Sequence, residues 1–304
     1  DLIGEINNTN SYTNILPSIS FKYNGDNDWV YRAAFTTSMA RPDYYALAPF
    51  ISVLPDDDSD IEAGNPNLDA TFAYNFDFMV EKYYKSVGLL SGGVFYKKLN
   101  DFIYTYRDNQ YTNAKFAADF PNQTNPIPTV NPGNWSLTQQ RNGESVDVYG
   151  FEVAFQRQLD FIPGKFFKGL GLYMNYTYTD SKANGITNSS GDLRTDVTLP
   201  GTAPHMFNSS LSWENKKFSA RVSLNYAADY LDELGGDEFE DRFYDKQLFI
   251  DANASYKLTS KLRIFAEANN LTNQPLRYYQ GISSRTMQVE YYQARFNLGL
   301  KFDL

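Results

Sequence analysis

The sequence predicts an all-β protein, an antiparallel transmembrane β-barrel with about eleven strands present. Three observations carry that expectation. Apolar and polar residues alternate along most of the chain, many alternating segments run 12 to 19 residues, and short and long connections alternate between them. Successive strand side chains point to opposite faces, so each segment has one apolar wall and one wet wall. Strands of globular sheets average about 5–6 residues, whereas a tilted strand crossing a bilayer needs roughly 9–11 and can project beyond it. No segment reads as a convincing helix, and none reaches the roughly 18 uninterrupted apolar residues of a membrane-spanning helix.

The elements follow in order. A faint strand is expected near 12–23, followed by WVYRAAFTTSMA (29–40), which sets Trp29, Tyr31, Ala33 and Phe35 against Arg32, Ala34 and Thr36. In ATFAYNFDFMVEKYY (70–84), Phe72, Tyr74, Phe76, Phe78 and Val80 oppose Asn75, Asp77 and Glu81. Fainter alternation marks 89–106 and 146–159. LGLYMNYTYTD (170–180) sets Leu170, Leu172, Met174, Tyr176 and Tyr178 against Tyr173, Asn175 and Thr177, and a weaker segment covers 205–214. KFSARVSLNYAADY (217–230) and QLFIDANASYKL (247–258) repeat the pattern, with a fainter copy at 262–272. The terminal ARFNLGLKFDL (294–304) places Phe296, Leu298, Leu300, Phe302 and Leu304 opposite Arg295, Asn297, Lys301 and Asp303.

The connections 24–28, 85–88, 160–169, 215–217 and 259–261 are short; 41–69, 107–145, 184–204, 232–246 and 273–285 are long. That parity is the outer-membrane pattern of tight periplasmic turns and long outer loops. Within the turn FIPGKFFKG, Phe161, Phe166 and Phe167 suit headgroup level while Lys165 and Lys168 snorkel. The same parity starts the first strand outside and ends the last in the periplasm, whereas single-chain barrels usually have both ends in the periplasm. An open sheet in lipid leaves two edges of unpaired N–H and C=O groups, each costing several kcal/mol. The expectation is therefore the C-terminal part of a longer chain, or a barrel that another polypeptide completes.

The net charge of −9 is concentrated. Residues 41–69 hold seven acids against one arginine, and 231–246 hold seven against two bases. A nucleic-acid partner is excluded on this balance, because phosphate contacts need a basic surface. Both runs read as solvated loop, and 118–135, rich in Pro and Asn, as an extended irregular loop. Asp56, Asp57, Asp58 and Asp60 have the oxygen density for Ca²⁺, but LPDDDSDIE lacks the glycine and terminal acid of a standard calcium loop, so no metal site is expected. There are no cysteines, and the single histidine, His205, reads as structural. Nothing forms a catalytic constellation, and neither an enzyme nor a cofactor is expected.

The runs SMARPDYYALAPF, EAGNPNLDATFAYNFDFMVEKYY and SGGVFYKKLNDFIYTY resemble the second half of TonB-dependent outer-membrane receptors. So do YGFEVAFQRQL, FIPGKFFKGLGLYMNYTYTDS and IFAEANNLTNQPLRYYQG, so the likeness covers residues 11–304. Its specificity comes from the order of GNPNL, GFEVAF, NYTYTDS and NNLTN. The resemblance implies a 22-stranded barrel whose C-terminal half these strands form, with the N-terminal plug and first barrel half absent. It further implies uptake of a scarce nutrient (iron–siderophore, cobalamin or oligosaccharide) driven by TonB through the plug. The implied setting is the bacterial outer membrane, with lipid, lipopolysaccharide and a surface lipoprotein as partners. The family usually ends on an aromatic residue, whereas this chain ends on Leu304. Ligand contacts are expected from outer loops at Arg41, Tyr44 and Tyr45, at Trp135, and at Arg277, Tyr278 and Tyr279. The alternatives are a passive porin or structural barrel subunit, and a secreted β protein binding glycans through its Tyr-rich face.

Overall fold

The computed structural model describes residues 13–54, 60–85, 87–127, 135–195 and 197–302. Its strands are β1 (Ser18–Asn24), β2 (Trp29–Ala40), β3 (Ile51–Leu54), β4 (Asp60–Ala63), β5 (Thr71–Tyr83) and β6 (Gly88–Asn100). Then come β7 (Ile103–Tyr111), β8 (Trp135–Asn142), β9 (Ser145–Gln158), β10 (Leu170–Asn184), β11 (His205–Glu214), β12 (Phe218–Ala227) and β13 (Tyr230–Glu233). The last are β14 (Arg242–Tyr244), β15 (Gln247–Lys257), β16 (Leu262–Asn269), β17 (Leu276–Gln280), β18 (Thr286–Glu290) and β19 (Arg295–Phe302). Two short helices, α1 (Tyr44–Leu47) and α2 (Asn113–Asp119), sit in segments expected to be loop.

Eleven strands form one sheet in the order β1-β2-β5-β6-β9-β10-β11-β12-β15-β16-β19. Chain order and spatial order agree throughout, and every pairing in this sheet is antiparallel. Register keeps the apolar phase continuous. Phe21 faces Ala33, Ala33 faces Phe78, Phe78 faces Val94, Val94 faces Phe151, and Phe151 faces Tyr178. Further along, Leu211, Val222, Ala252, Ala268 and Phe296 follow one another across five strands. A one-residue slip at any pair would turn that strand's polar row onto the apolar face, so the alternation itself fixes the register. Most of the large side chains on this apolar face stand exposed, with Leu298 at 77% and Phe21 at 68%. In water such a surface is unfavourable; against acyl chains it is not.

The short turns are closed by local chemistry. Asn215 Oδ1 accepts from the N–H groups of Lys217 and Phe218, both at 2.8 Å, and Thr259 Oγ1 accepts from Leu262 N–H at 3.0 Å. Between β1 and β2, Asn27 and Asp28 adopt positive φ, as a tight turn requires. At the 159–169 turn, Phe166 stacks on Trp213 at 5.9 Å, and the Arg157 guanidinium lies 4.1 Å from Tyr84 and 4.2 Å from Phe161. This is the amphipathic ring cluster expected where strands leave the hydrocarbon.

The long connections differ from the sequence expectation. Four of the five carry strands, which form two four-stranded sheets, β3-β4-β8-β7 and β13-β14-β17-β18. The expected strand 89–106 breaks at Asp101 (φ 53), where β6 ends and β7 turns into the first of these sheets. β4 runs parallel to β8, the one parallel pairing among the described strands. The buried core lies in this outer layer. Ile61, Phe116, Leu137 and Ile186 are at most 1% exposed, packed with Phe102, Tyr104, Leu231 and Leu234. Val146, Val148 and Ala183 join them from the ends of β9 and β10. Those three belong to the polar phase of the large sheet, so the outer layer folds over that side. The apolar face stays uncovered.

Candidate functional site

Two family-like motifs turn out to be structural fastenings of the outer layer. In GNPNL, Gly64 lies where an added Cβ would come 1.9 Å from the Ala48 carbonyl oxygen, so only glycine permits the approach. Asn65 then donates from its side-chain amide to Gln140 O (3.0 Å) and from its backbone to Ala46 O (2.6 Å), and Leu68 is buried at 1%. In NNLTN, Asn270 and Asn273 take positive φ, and Asn270 Oδ1 accepts from Gln274 N–H at 2.8 Å. Asparagine tolerates that conformation because its side chain bonds locally.

Charge pairs lock the layer together. Arg194 donates twice to Asp241, at 2.9 and 2.6 Å, and both side chains are 6% exposed. Gly235 N–H also donates to Asp241 Oδ1 (2.9 Å). Asp108, fully buried, accepts from Lys115 Nζ at 2.6 Å, and Lys115 also reaches Ser189 O at 3.0 Å. An Arg107–Glu233 ion pair joins the two four-stranded sheets, and Ser189 N–H donates to Gly236 O at 2.9 Å. Much of the acidic excess is thus neutralised in place, which corrects the reading of 231–246 as solvated loop: Leu231, Leu234 and Asp241 are buried. Within 118–135, the described part to Ile127 is anchored by Asn125, whose Oδ1 accepts Ile127 N–H at 2.9 Å.

Tyrosines are held just as firmly. Tyr111 donates to Asp119 Oδ2 at 2.8 Å, and burial, then that carboxylate, pushes its hydroxyl far above the ordinary phenol range. Tyr279 donates to Asp229 Oδ2 at 2.5 Å and stacks on Phe243 at 5.2 Å; burial, then Asp229, raises its pKa likewise.

The seven predicted ligand residues separate into two groups. Arg41 lies just before α1 and Tyr44 and Tyr45 are its first two residues, where Asp43 caps the helix by accepting from Tyr45 N–H at 2.7 Å. Tyr44 is 84% exposed, and Tyr45 is 57% exposed with its ring 4.5 Å from Phe50. These rings are presented outward. Trp135, Arg277, Tyr278 and Tyr279 make contacts within the layer. Trp135 leans on the core, Arg277 pairs with Asp245 at 2.7 Å, Tyr278 packs on Tyr244 at 4.8 Å, and Tyr279 is buried. Asp56, Asp57 and Asp58 lie outside the described residues; Asp60 accepts from the Ser136 hydroxyl. No cluster of three or more His, Cys, Asp or Glu able to hold a metal occurs among the described residues. His205 sits on the apolar face, its Nδ1 2.8 Å from the Tyr176 hydroxyl.

Clefts open around the layer among the described residues. One of about 570 Å³ is lined by Arg194, Thr198, Glu238, Phe239 and Asp241. A second, about 460 Å³, runs from Tyr244 and Leu276 to the polar-face residues Asp251, Asn269 and Arg295. The third, about 530 Å³, is framed by Asn65, Phe120 and Arg141. Sequence reasoning missed Arg194 and Arg107, because nothing local marks a cation whose partner lies 47 or 126 residues along the chain.

An eleven-stranded meander with an exposed apolar face, polar on its other side and roofed there by packed loops, defines a β-barrel of the outer-membrane type. No helix among the described residues is long and apolar enough to cross a membrane, which leaves a barrel untouched. Residues 4–271 match the family of TonB dependent receptor-like β-barrels, and the chain belongs to that family. Its members are transport receptors. A search of curated proteins finds no match. Among solved structures, the ferric enterobactin receptor PfeA of Pseudomonas aeruginosa, solved with enterobactin, is similar at 15% identity and TM-score 0.62. The alignment covers 94% of this chain and 40% of that one. The siderophore receptor PirA of Acinetobacter baumannii is similar at 14% identity and TM-score 0.63, with the same coverage. The copper transporter OprC is similar at 15% identity and TM-score 0.62. The chain thus spans about 40% of the length of the solved receptors it matches.

Proposed function

We propose that this chain is the C-terminal barrel part of an outer-membrane receptor that takes up a scarce nutrient by TonB-coupled transport. On this reading the plug and the first barrel half belong to the same receptor outside residues 1–304, and TonB acts through the plug. The exposed face meets acyl chains and, at the outer rim, lipopolysaccharide. The ligand is an iron–siderophore, cobalamin or an oligosaccharide, captured on the outer layer with Tyr44 and Tyr45 as aromatic contacts. Rigid exposed rings are the usual anchors of such surfaces. One observation supports this most: the core of the molecule is invested in its outer layer, where a passive pore needs only an opening. Pre-ordered loops reduce the entropy lost on capture.

The test uses the full-length receptor. Its expression in an outer-membrane host, with and without TonB, is followed by uptake of radiolabelled ferric siderophore, cobalamin and oligosaccharide. Accumulation of one class only when TonB is present supports the reading. Equal flux of all three with TonB absent contradicts it.

A further inference from the structure

Five arginines of the outer layer are tied to acceptors. Arg107, Arg194, Arg242 and Arg277 each pair with a carboxylate, and Arg285 donates to Phe239 O and Gln280 Oε1, both at 3.0 Å. Arg141, near the end of β8, is held differently. Its guanidinium lies 3.6 Å from the centre of the buried Tyr106 ring, and its Nε donates to Gln139 Oε1 at 3.2 Å. Gln139 is fixed in turn, because its Nε2 donates to Gly64 O at 3.2 Å. Among the described residues the two terminal nitrogens of Arg141 have no acceptor, and neither is sealed from solvent. Stacking on Tyr106 satisfies the face of the guanidinium and leaves its N–H edge open.

Arg141 lines a cleft of about 530 Å³, within the size range of small-molecule sites. The turn Gly64 to Asn67 forms one wall, and Asp119 and Phe120 at the C-terminal end of α2 form the other. Both walls are ordered. Asn65 bonds to Gln140 O of β8 and to Ala46 O of α1, and Phe120 packs on the buried Phe116 at 5.1 Å. Asp119 Oδ2 accepts from the Tyr111 hydroxyl, while its Oδ1 has no donor among the described residues. The side-chain amide of Asn67, an exposed residue, is likewise uncommitted there. A planar guanidinium edge matches a carboxylate bidentately, whereas a carboxylate acceptor and an amide suit hydroxyl groups. The Phe120 ring adds the apolar contact that small-ligand sites share.

We propose that this cleft binds a carboxylate flanked by hydroxyl groups, with Arg141 gripping the carboxylate and Asp119 and Asn67 the hydroxyls. A hexuronate unit of a glycan and a free hydroxy acid both carry that chemistry. This rests on the reading of the outer layer as the capturing surface of a receptor, and it narrows the ligand. Because Tyr106 and Gln139 hold the guanidinium beforehand, little side-chain freedom is lost on binding.

The test is isothermal titration of the purified full-length receptor in detergent with trigalacturonate, citrate and the neutral maltotriose. At least one acid is expected to bind and maltotriose not to. The acid that binds more tightly identifies the source, glycan or free hydroxy acid. Arg141→Gln should weaken that binding about tenfold or more, as loss of a charge-assisted pair does. Arg141→Lys should recover only part of it, since the charge returns without the fork. Asn67→Asp leaves the stacking on Tyr106 untouched and should weaken binding about two- to fivefold by bringing a like charge to the cleft. If Arg141→Gln alters the near-ultraviolet circular dichroism of the layer, Asn67→Asp alone decides. Binding of neither acid, equal binding of maltotriose, or affinity indifferent to these replacements would overturn the site. TonB-dependent uptake of another nutrient by a receptor that binds neither acid refutes the site alone, whereas equal flux without TonB refutes the receptor reading beneath it.

Discussion

Val222, in the middle of β12, is 51% exposed, whereas Phe116 in α2 is wholly buried, although both are apolar residues in ordered structure. The difference divides the molecule. In the large sheet, apolar side chains point away from the protein and the polar rows face inward, with Arg32 and Glu81 paired there. In the outer layer the usual aqueous order returns, with Phe116, Leu137 and Ile61 inside and Tyr44 out. A single chain thus follows two solvation rules, one for each surrounding medium, and changes from one to the other where β6 passes into β7 at Asp101.

The comparison can be broken first at the buried charge pair. Asp241→Ala strands the Arg194 guanidinium and should destabilise the outer layer by about 3–5 kcal/mol, while the large sheet stays folded. Faster amide exchange at Gly235 with unchanged barrel migration is the expected result. The double replacement R194M/D241L should restore much of the loss, because no buried charge is then left unpaired. Next comes the exposed apolar face of the large sheet. Val222→Arg should cost about 2–4 kcal/mol near mid-bilayer, against little for Ser223→Arg on the polar face, as measured by unfolding in vesicles.

A smaller effect belongs to pH. Tyr111 and Tyr279 hold their protons above the ordinary phenol pKa of about 10, so the folded layer binds more protons than the unfolded one in alkali. Its stability is fully present below pH about 10 and falls as pH rises beyond that. Near-ultraviolet circular dichroism should therefore change before the far-ultraviolet strand signal, and Tyr279→Phe should reduce that alkaline sensitivity. Least of all, Tyr44→Ala and Tyr45→Ala should shift stability by no more than about 0.5 kcal/mol, since both rings are exposed. Their expected effect is weaker capture of the ligand, read as a raised Kd.

The same division explains what the sequence could reveal. The segments 29–40 and 205–214 are expected from alternation and are observed as β2 and β11 with the same bounds. Two different media on the two faces impose period 2 on every residue, so a long strand prints its limits in the chain. The outer strands leave no such print. β14 has three residues, and β4 pairs with β8 some 76 residues later, as Asp60 with Ser136. Arg194 and Asp241 are 47 residues apart and look like ordinary loop charges until folded together. The predicted ligand residues divide for a related reason: aromatic and arginine side chains in loops can be exposed or packed, and composition alone does not separate Tyr44 from Tyr279.

The most direct measurement is a spin-label scan along β12 in the full-length receptor reconstituted into vesicles. Single cysteines replace Ala220 through Asn225 in turn, and collisions with oxygen, which enters lipid, are compared with those of a water-soluble nickel chelate. Labels at 220, 222 and 224 should favour oxygen, and those at 221, 223 and 225 the chelate. Oxygen contact at the second set, or no alternation between the two, would contradict the assignment of the apolar rows to the bilayer.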